Sequence, residues 1–148
     1  MSPKLSHAIP NCFYRVSIKG LILNETRDKF LIGRDEAGFW DLPGGGLEWG
    51  ETPQDDLVRE VEEEMNLTVT KTASRPCYFL TGKQTVNPDI HIANIIFECQ
   101  VDNFDFTPSP ECLEIKFVDS KDIPDLEVSD SVMKLVQIFN PQNHTTRI

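Results

Sequence analysis

The stretch PGGGLEWGETPQDDLVREVEEEMNL, residues 43–67, decides how the rest of the chain is read. Its three consecutive glycines, Gly44, Gly45 and Gly46, come out of only eight in the protein. Such a run predicts a loop with unusual backbone angles or a close approach to another group. A helix is predicted directly after it. Thr52 can cap it, Pro53 suits its first turn, and Asp55 stands three residues beyond the cap. Leu57, Val58, Val61 and Met65 then fall within about 100° on a helical wheel and form a stripe for the core. Asn66 is the predicted stop, since Asn tolerates the left-handed backbone that ends many helices.

On that helix Glu60, Glu63 and Glu64 stand at i, i+3 and i+4, so they share one face beside the apolar stripe, while Asp55 and Glu62 lie on the outer arc towards solvent. Two carboxylates about 4 Å apart cost about 4 kcal/mol at an effective dielectric of about 20. The cluster must therefore protonate, fan into water, or be held by a divalent cation. Mg²⁺ and Mn²⁺ take hard oxygen ligands of this kind. An E-x-x-E-E pattern alone is usually a solvated face. The glycine loop changes its meaning, because it can bring backbone carbonyls and amides to the carboxylates, and the helix N-terminus favours an anion. Metal beside phosphate is a recurring arrangement for hydrolysis at phosphorus: the metal acidifies a bound water and stabilises the leaving oxygen.

Working outward, residues 14–23 (YRVSIKGLIL) predict a strand, residues 24–29 a turn, and residues 30–34 (FLIGR) the returning strand of a hairpin. Residues 39–42 predict a short strand leading into the glycines. Further strands are predicted over residues 68–71, 76–81, 89–101 and 114–118, of which HIANIIFECQV is the most β-like run. Val132, Leu135, Val136 and Phe139 place a second amphipathic helix over residues 129–139, its stripe facing the core or a dimer partner. The tail from Asn140 is expected to fray. Strands between two helices make a mixed α/β order.

The length, 148 residues, suits one domain, and 39% hydrophobic with 26% charged residues is a globular balance. No apolar run is long enough to span a membrane. The first ten residues lack the pattern of a secretion signal, so a cytoplasmic location is expected. Cys12, Cys77, Cys99 and Cys112 contain no C-x-x-C pair and read as free thiols rather than a zinc site. The net charge is −10. Residues 48–64 hold eight acids against one base, Arg59, and so carry −7, leaving −3 elsewhere. No basic stripe is available for long nucleic acid, which also disfavours messenger-RNA decapping.

Gly45, Glu51, Arg59, Glu60, Val61, Glu63, Glu64 and Leu67 match eight of the nine specified positions of the Nudix box, with Asn66 standing where that box has glycine. The chain thus resembles MutT-like members of the Nudix hydrolase family. Residues 14–45 and 111–118 extend the likeness at lower specificity. The resemblance implies one domain over residues 1–148, an α/β/α sandwich with a mixed sheet. It also implies hydrolysis of a phosphoanhydride in a nucleoside diphosphate linked to another group. Candidate substrates are nucleoside triphosphates, oxidised nucleotides, ADP-ribose, nucleotide sugars and dinucleoside polyphosphates. Glu60, Glu63 and Glu64 would ligate Mg²⁺ or Mn²⁺, with Gly45 as a further ligand through its carbonyl. Arg59 would hold the glutamates and Glu51 would support Arg59. The base would be Glu60, Glu64 or a carboxylate among Glu111 and Glu114. Arg34 could contact phosphate, and Phe39 and Trp40 could stack on a base or belong to the core. His91 reads as structural. The alternative implied by the same fold is a catalytically silent domain that binds a nucleotide.

Overall fold

The computed structural model describes residues 12–148; the N-terminal residues read above for a secretion signal lie outside that range. Its elements in chain order are β1 (Arg15–Leu21), β2 (Phe30–Arg34), β3 (Trp40–Asp41), β4 (Gly44–Gly46), α1 (Pro53–Met65), β5 (Val69–Thr72), β6 (Tyr78–Lys83), β7 (His91–Val101), β8 (Glu114–Val118) and α2 (Asp130–Ile138). A 3-10 turn, Pro141–His144, follows.

The β-rich run 91–101 becomes the hub of the larger sheet. β7 lies parallel to β1, from Arg15 opposite Ile92 to Leu21 opposite Glu98. Its other edge is taken by β6 and β5, both antiparallel and following one another along it. β4 closes the far side antiparallel to β1. A second, antiparallel sheet runs β3-β2-β8.

Alternation along the strands sends side chains to two cores. On one face Ile18 and Phe97 meet Leu57, Val61 and Met65 of α1. On the other, Leu21 and Ile96 meet Val132 and Leu135 of α2, joined by Phe30 and Ile32 from the second sheet. The result is the expected α/β/α sandwich, with one parallel pair in otherwise antiparallel sheets.

Three local expectations change. The turn at residues 24–29 forms, with the Asn24 side chain accepting from the backbone N–H groups of Asp28 and Lys29. Its arms meet only at Leu23 and Phe30 before parting into different sheets. β1 is buried on both faces, so its apolar pattern could not reveal which strands flank it. The glycine run is a short strand rather than a loop. Gly44 has φ +123°, and a Cβ there would strike the Ile18 carbonyl oxygen, so only glycine lets β4 pair so closely with β1. The tail does not fray through His144. That imidazole is buried against the Phe139 ring and bonds the Glu98 carboxylate and the Tyr78 hydroxyl.

Candidate active site

α1 begins as the sequence requires. The Thr52 hydroxyl accepts from the Asp55 N–H at 3.2 Å, and Asn66 ends the helix at φ 55°, ψ 34°. These two caps fix how the helix presents Arg59, Glu60, Glu63 and Glu64 to β4. Glu60 is mostly covered and faces the glycine strand so closely that a Cβ on Gly45 would lie 2.9 Å from its Oε1. Glu63 is half-exposed. Glu64 points inward, and burial pushes its carboxyl up to about 8. The negative charges of Glu60 and Asp41 act in the same sense, while the Lys19 ammonium and the Gly44 N–H oppose it.

Arg59 organises the outer half of the cluster. Nε and Nη2 donate to the two oxygens of Glu51, each at 3.0 Å, in a bidentate pair. Nη2 also donates to Asp56 at 2.8 Å, and Nη1 to Glu63 at 3.0 Å, with Glu60 at 3.4 Å. Bonding to Glu51 raises the guanidinium's pKa further above its ordinary value, and the same bonds lower that of Glu51. Asp56, with no exposed surface, is pushed up to about 6 by burial and by Glu51, and its Oδ2 has no partner.

The inner half is held by Lys19, which is 8% exposed. Its ammonium donates to Asp41 at 3.3 Å and to the carbonyls of Leu42 and Gly44 at 3.3 and 3.2 Å. The carboxylates of Asp41, Glu64 and Glu60 together raise its pKa despite burial. Lys19, Asp41, Gly44, Glu64 and Glu111 line a cleft of about 140 Å³.

The residues selected from the sequence divide accordingly. Gly45, Glu51, Arg59, Glu60, Glu63 and Glu64 are brought together on α1, β4 and the loop between them. Glu111 joins Glu64 in the cleft. Arg34 and Glu114 pair with each other at 3.2 Å and lie outside it. Trp40 is 5% exposed and packs in the core beneath α2, with Lys116 5.4 Å and Arg34 6.0 Å from its ring centroid. Phe39, its neighbour, lines the cleft instead. His91 is exposed, edge-on to Tyr14. Sequence reasoning missed Lys19, Asp41 and Asp56. A lysine inside the apolar run VSIKGLIL was a usable signal, because a buried lysine needs partners. Asp56 looked like its exposed acidic neighbours and gave none.

Among the described residues no three acidic, histidine or cysteine side chains close round a point where a metal ion could sit. The donor chemistry still suits a divalent cation. Glu60 lies against Gly45, Glu64 feels its charge beside the Gly44 backbone, and Glu63 is drawn aside by Arg59.

This site on this sandwich agrees with what the chain is similar to. The NUDIX domain profile matches residues 13–136. The nucleoside triphosphatase NudI of Enterobacter sp. (strain 638) is 31% identical over 100 residues, covering 64% of this chain and 71% of that protein. The 8-oxo-dGTP diphosphatase of Proteus vulgaris is 35% identical over 82 residues, covering 53% and 69%. Among solved structures, the MutT protein of Methanosarcina mazei Go1 superposes with a TM-score of 0.73 at 25% identity, covering 91% of this chain and 99% of its own. The chain belongs to the Nudix family, and its enzymatic class is that of the family's pyrophosphohydrolases. That family generally works with a divalent metal.

Proposed function

We propose that this protein hydrolyses a phosphoanhydride bond in a nucleoside diphosphate linked to another group, with Mg²⁺ as cofactor and Mn²⁺ as substitute. The observation that carries the reading is the close approach of Glu60 to Gly45, with Glu64 beside it, its carboxyl pushed up to about 8 by burial and by the charge of Glu60. Glu60, Glu64 and the Gly45 main chain would hold the metal, with Glu63 completing the set. The bound metal would acidify a water and neutralise charge on the leaving phosphate. Arg59 and Glu51 are positioning residues: their bidentate pair fixes the guanidinium, which in turn sets Glu60 and Glu63. Lys19 draws the Leu42 and Gly44 carbonyls together and so fixes β4 opposite Glu60. Of the carboxylates considered as general base, Glu64 and Glu111 share the cleft, whereas Glu114 is engaged by Arg34; this favours the former two.

Support for a nucleotide substrate comes from relatives named for nucleoside triphosphates, 8-oxo-dGTP and, in Methanocaldococcus jannaschii, ADP-ribose. No helix among the described residues is long and apolar enough to cross a membrane, and the four cysteines are free thiols, which suits the reducing cytosol. The test is a panel of these nucleotides incubated with Mg²⁺ or Mn²⁺ and with chelator, for wild type and Glu64→Gln. Release of a nucleoside monophosphate or pyrophosphate from at least one substrate is expected. It should vanish with chelator and fall by orders of magnitude in the variant. A folded wild type that cleaves nothing would leave nucleotide binding without turnover.

A further inference from the structure

Asp56 is a buried carboxyl to which nothing above gives a function. It stands in the first turn of α1 and is none of the residues that the Nudix box specifies, since it falls between Glu51 and Arg59. It has no exposed surface, and its equally enclosed neighbour Leu57 belongs to the core. Its Oδ1 accepts from Arg59 Nη2 at 2.8 Å, while its Oδ2 has no partner among the described residues.

Two structural roles fit it poorly. An acid in the first turn complements the helix dipole, but that needs no burial, and the exposed Asp55 already supplies it. Nor does a buried carboxyl with one bare oxygen strengthen a core, because a small apolar residue would fill the position without burying an unpaired polar atom. A group that breaks a local rule of stability beside a candidate active site points to function.

The geometry round Arg59 says which function. Glu51 takes Nε and Nη2, Glu63 takes Nη1, and Glu60 lies 3.4 Å from Nη1. Glu51 belongs to the loop before α1, and Glu63 is half-exposed. Of these partners only Asp56 is both rooted in the helix and fully enclosed, which makes it the fixed end of the clamp. Nη2 is held between Glu51 and Asp56, and because the guanidinium is a rigid plane, this turns Nη1 towards Glu63 and Glu60. The Glu51 and Asp56 carboxyls also hydrogen-bond each other, which ties the loop to the helix. We propose that Asp56 is a positioning residue for the reaction: it fixes the Arg59 guanidinium, and through it sets Glu60 and Glu63 in the arrangement that receives the metal. This rests on the hydrolase reading, which gives the metal to those glutamates.

The test reads Arg59 first without metal and then through Mn²⁺, so it does not depend on turnover. The Arg59 Nε–H is assigned in a ¹⁵N–¹H spectrum by its absence in Arg59→Met. Its exchange with water should be about ten-fold faster in Asp56→Ala, and Mn²⁺ binding, followed by paramagnetic titration, about ten-fold weaker. Asp56→Leu, which also lacks an acceptor but fills more of the space, should do the same and serves if the alanine variant misfolds. Asp56→Asn keeps an acceptor for Nη2 and offers Glu51 a donor, so it should restore both readouts. In an Arg59→Met background Asp56→Ala should weaken Mn²⁺ no further, because a residue that acts through Arg59 has nothing left to act on. An unchanged Arg59 Nε–H in Asp56→Ala would overturn the proposal and leave the clamp to Glu51. Equal weakening in the two backgrounds would overturn it in favour of packing, and an asparagine variant as impaired as alanine would overturn the hydrogen-bonding account. Nucleotide cleavage by wild type, with full Mn²⁺ binding by Asp56→Ala, would defeat this inference alone. The expected Arg59 and Mn²⁺ responses without cleavage of any substrate would defeat the hydrolase reading alone, and a wild type that takes up no Mn²⁺ would defeat both.

Discussion

Glu64 shows how a single side chain links stability to function. In metal-free buffer the folded protein keeps its proton to about pH 8, whereas an ordinary glutamate releases it near 4.5. Between those values the native state binds more protons than the unfolded state, so stability falls as pH rises through the window. Asp56 adds the same sign between 3.8 and about 6. The melting temperature of wild type should decline from pH 5 to pH 8. Glu64→Gln should flatten the decline and stand above wild type at pH 8, although its turnover is lost; equal slopes in the two proteins would show that Glu64 does not titrate there. Gly45 makes the complementary case. The nearest atoms a methyl at that position would meet belong to the carboxylate of Glu60, a side-chain end that can shift by rotation, so Gly45→Ala should barely change the melting temperature. It should weaken Mn²⁺ binding about ten-fold, by displacing a group on which the site geometry depends, as read by paramagnetic titration. The carboxylates of this cluster were legible in the sequence because i, i+3, i+4 spacing fixes a shared face. Lys19 and Asp41 were not, because they reach the site from strands that adjoin only after folding.

Elements carry a second set of consequences. α1 was legible nearly to the residue, because each of its signals is local: a hydroxyl at the N-cap, proline in the first turn, a four-residue apolar repeat and an αL residue at the end. Asn66 occupies a backbone conformation that glycine adopts freely, so Asn66→Gly should leave activity and melting temperature nearly unchanged. Asn66→Val should cost about 1–2 kcal/mol, the penalty of a β-branched residue in the left-handed region, measured by denaturant unfolding. β4 is the opposite case. Three glycines announce no strand, and the element exists only because β1 offers it an edge. Gly44→Ala should therefore destabilise by more than about 1 kcal/mol, since both the positive φ and the Ile18 carbonyl resist a Cβ. If that substitution left the protein as stable as wild type, β4 would not pair as described.

Across the whole molecule, the last nine residues tie the turn after β1 to the central strand β7. Arg27 bonds the Glu98 carboxylate at 2.9 Å and the carbonyl of His144, while the His144 ring bonds Glu98 at 3.2 Å and Tyr78 at 2.7 Å. Deleting residues 140–148 would leave Glu98, 4% exposed, without its imidazole partner. A loss of about 2–3 kcal/mol is expected, visible as a lower melting temperature, with the pattern of substrates retained; an unchanged melting temperature would show that the clamp carries no weight. The α/β class, the limits of both helices and the acidic face of α1 are written in the order of residues, since these follow from periodicity and capping within about a dozen residues. Tertiary structure alone decided that β1 and β2 part into different sheets, that Arg34 turns to Glu114, and that Trp40 is core while Phe39 lines the cleft. Those outcomes depend on which strands become neighbours, and pairing between distant segments is set by the burial of the whole chain rather than by any local pattern.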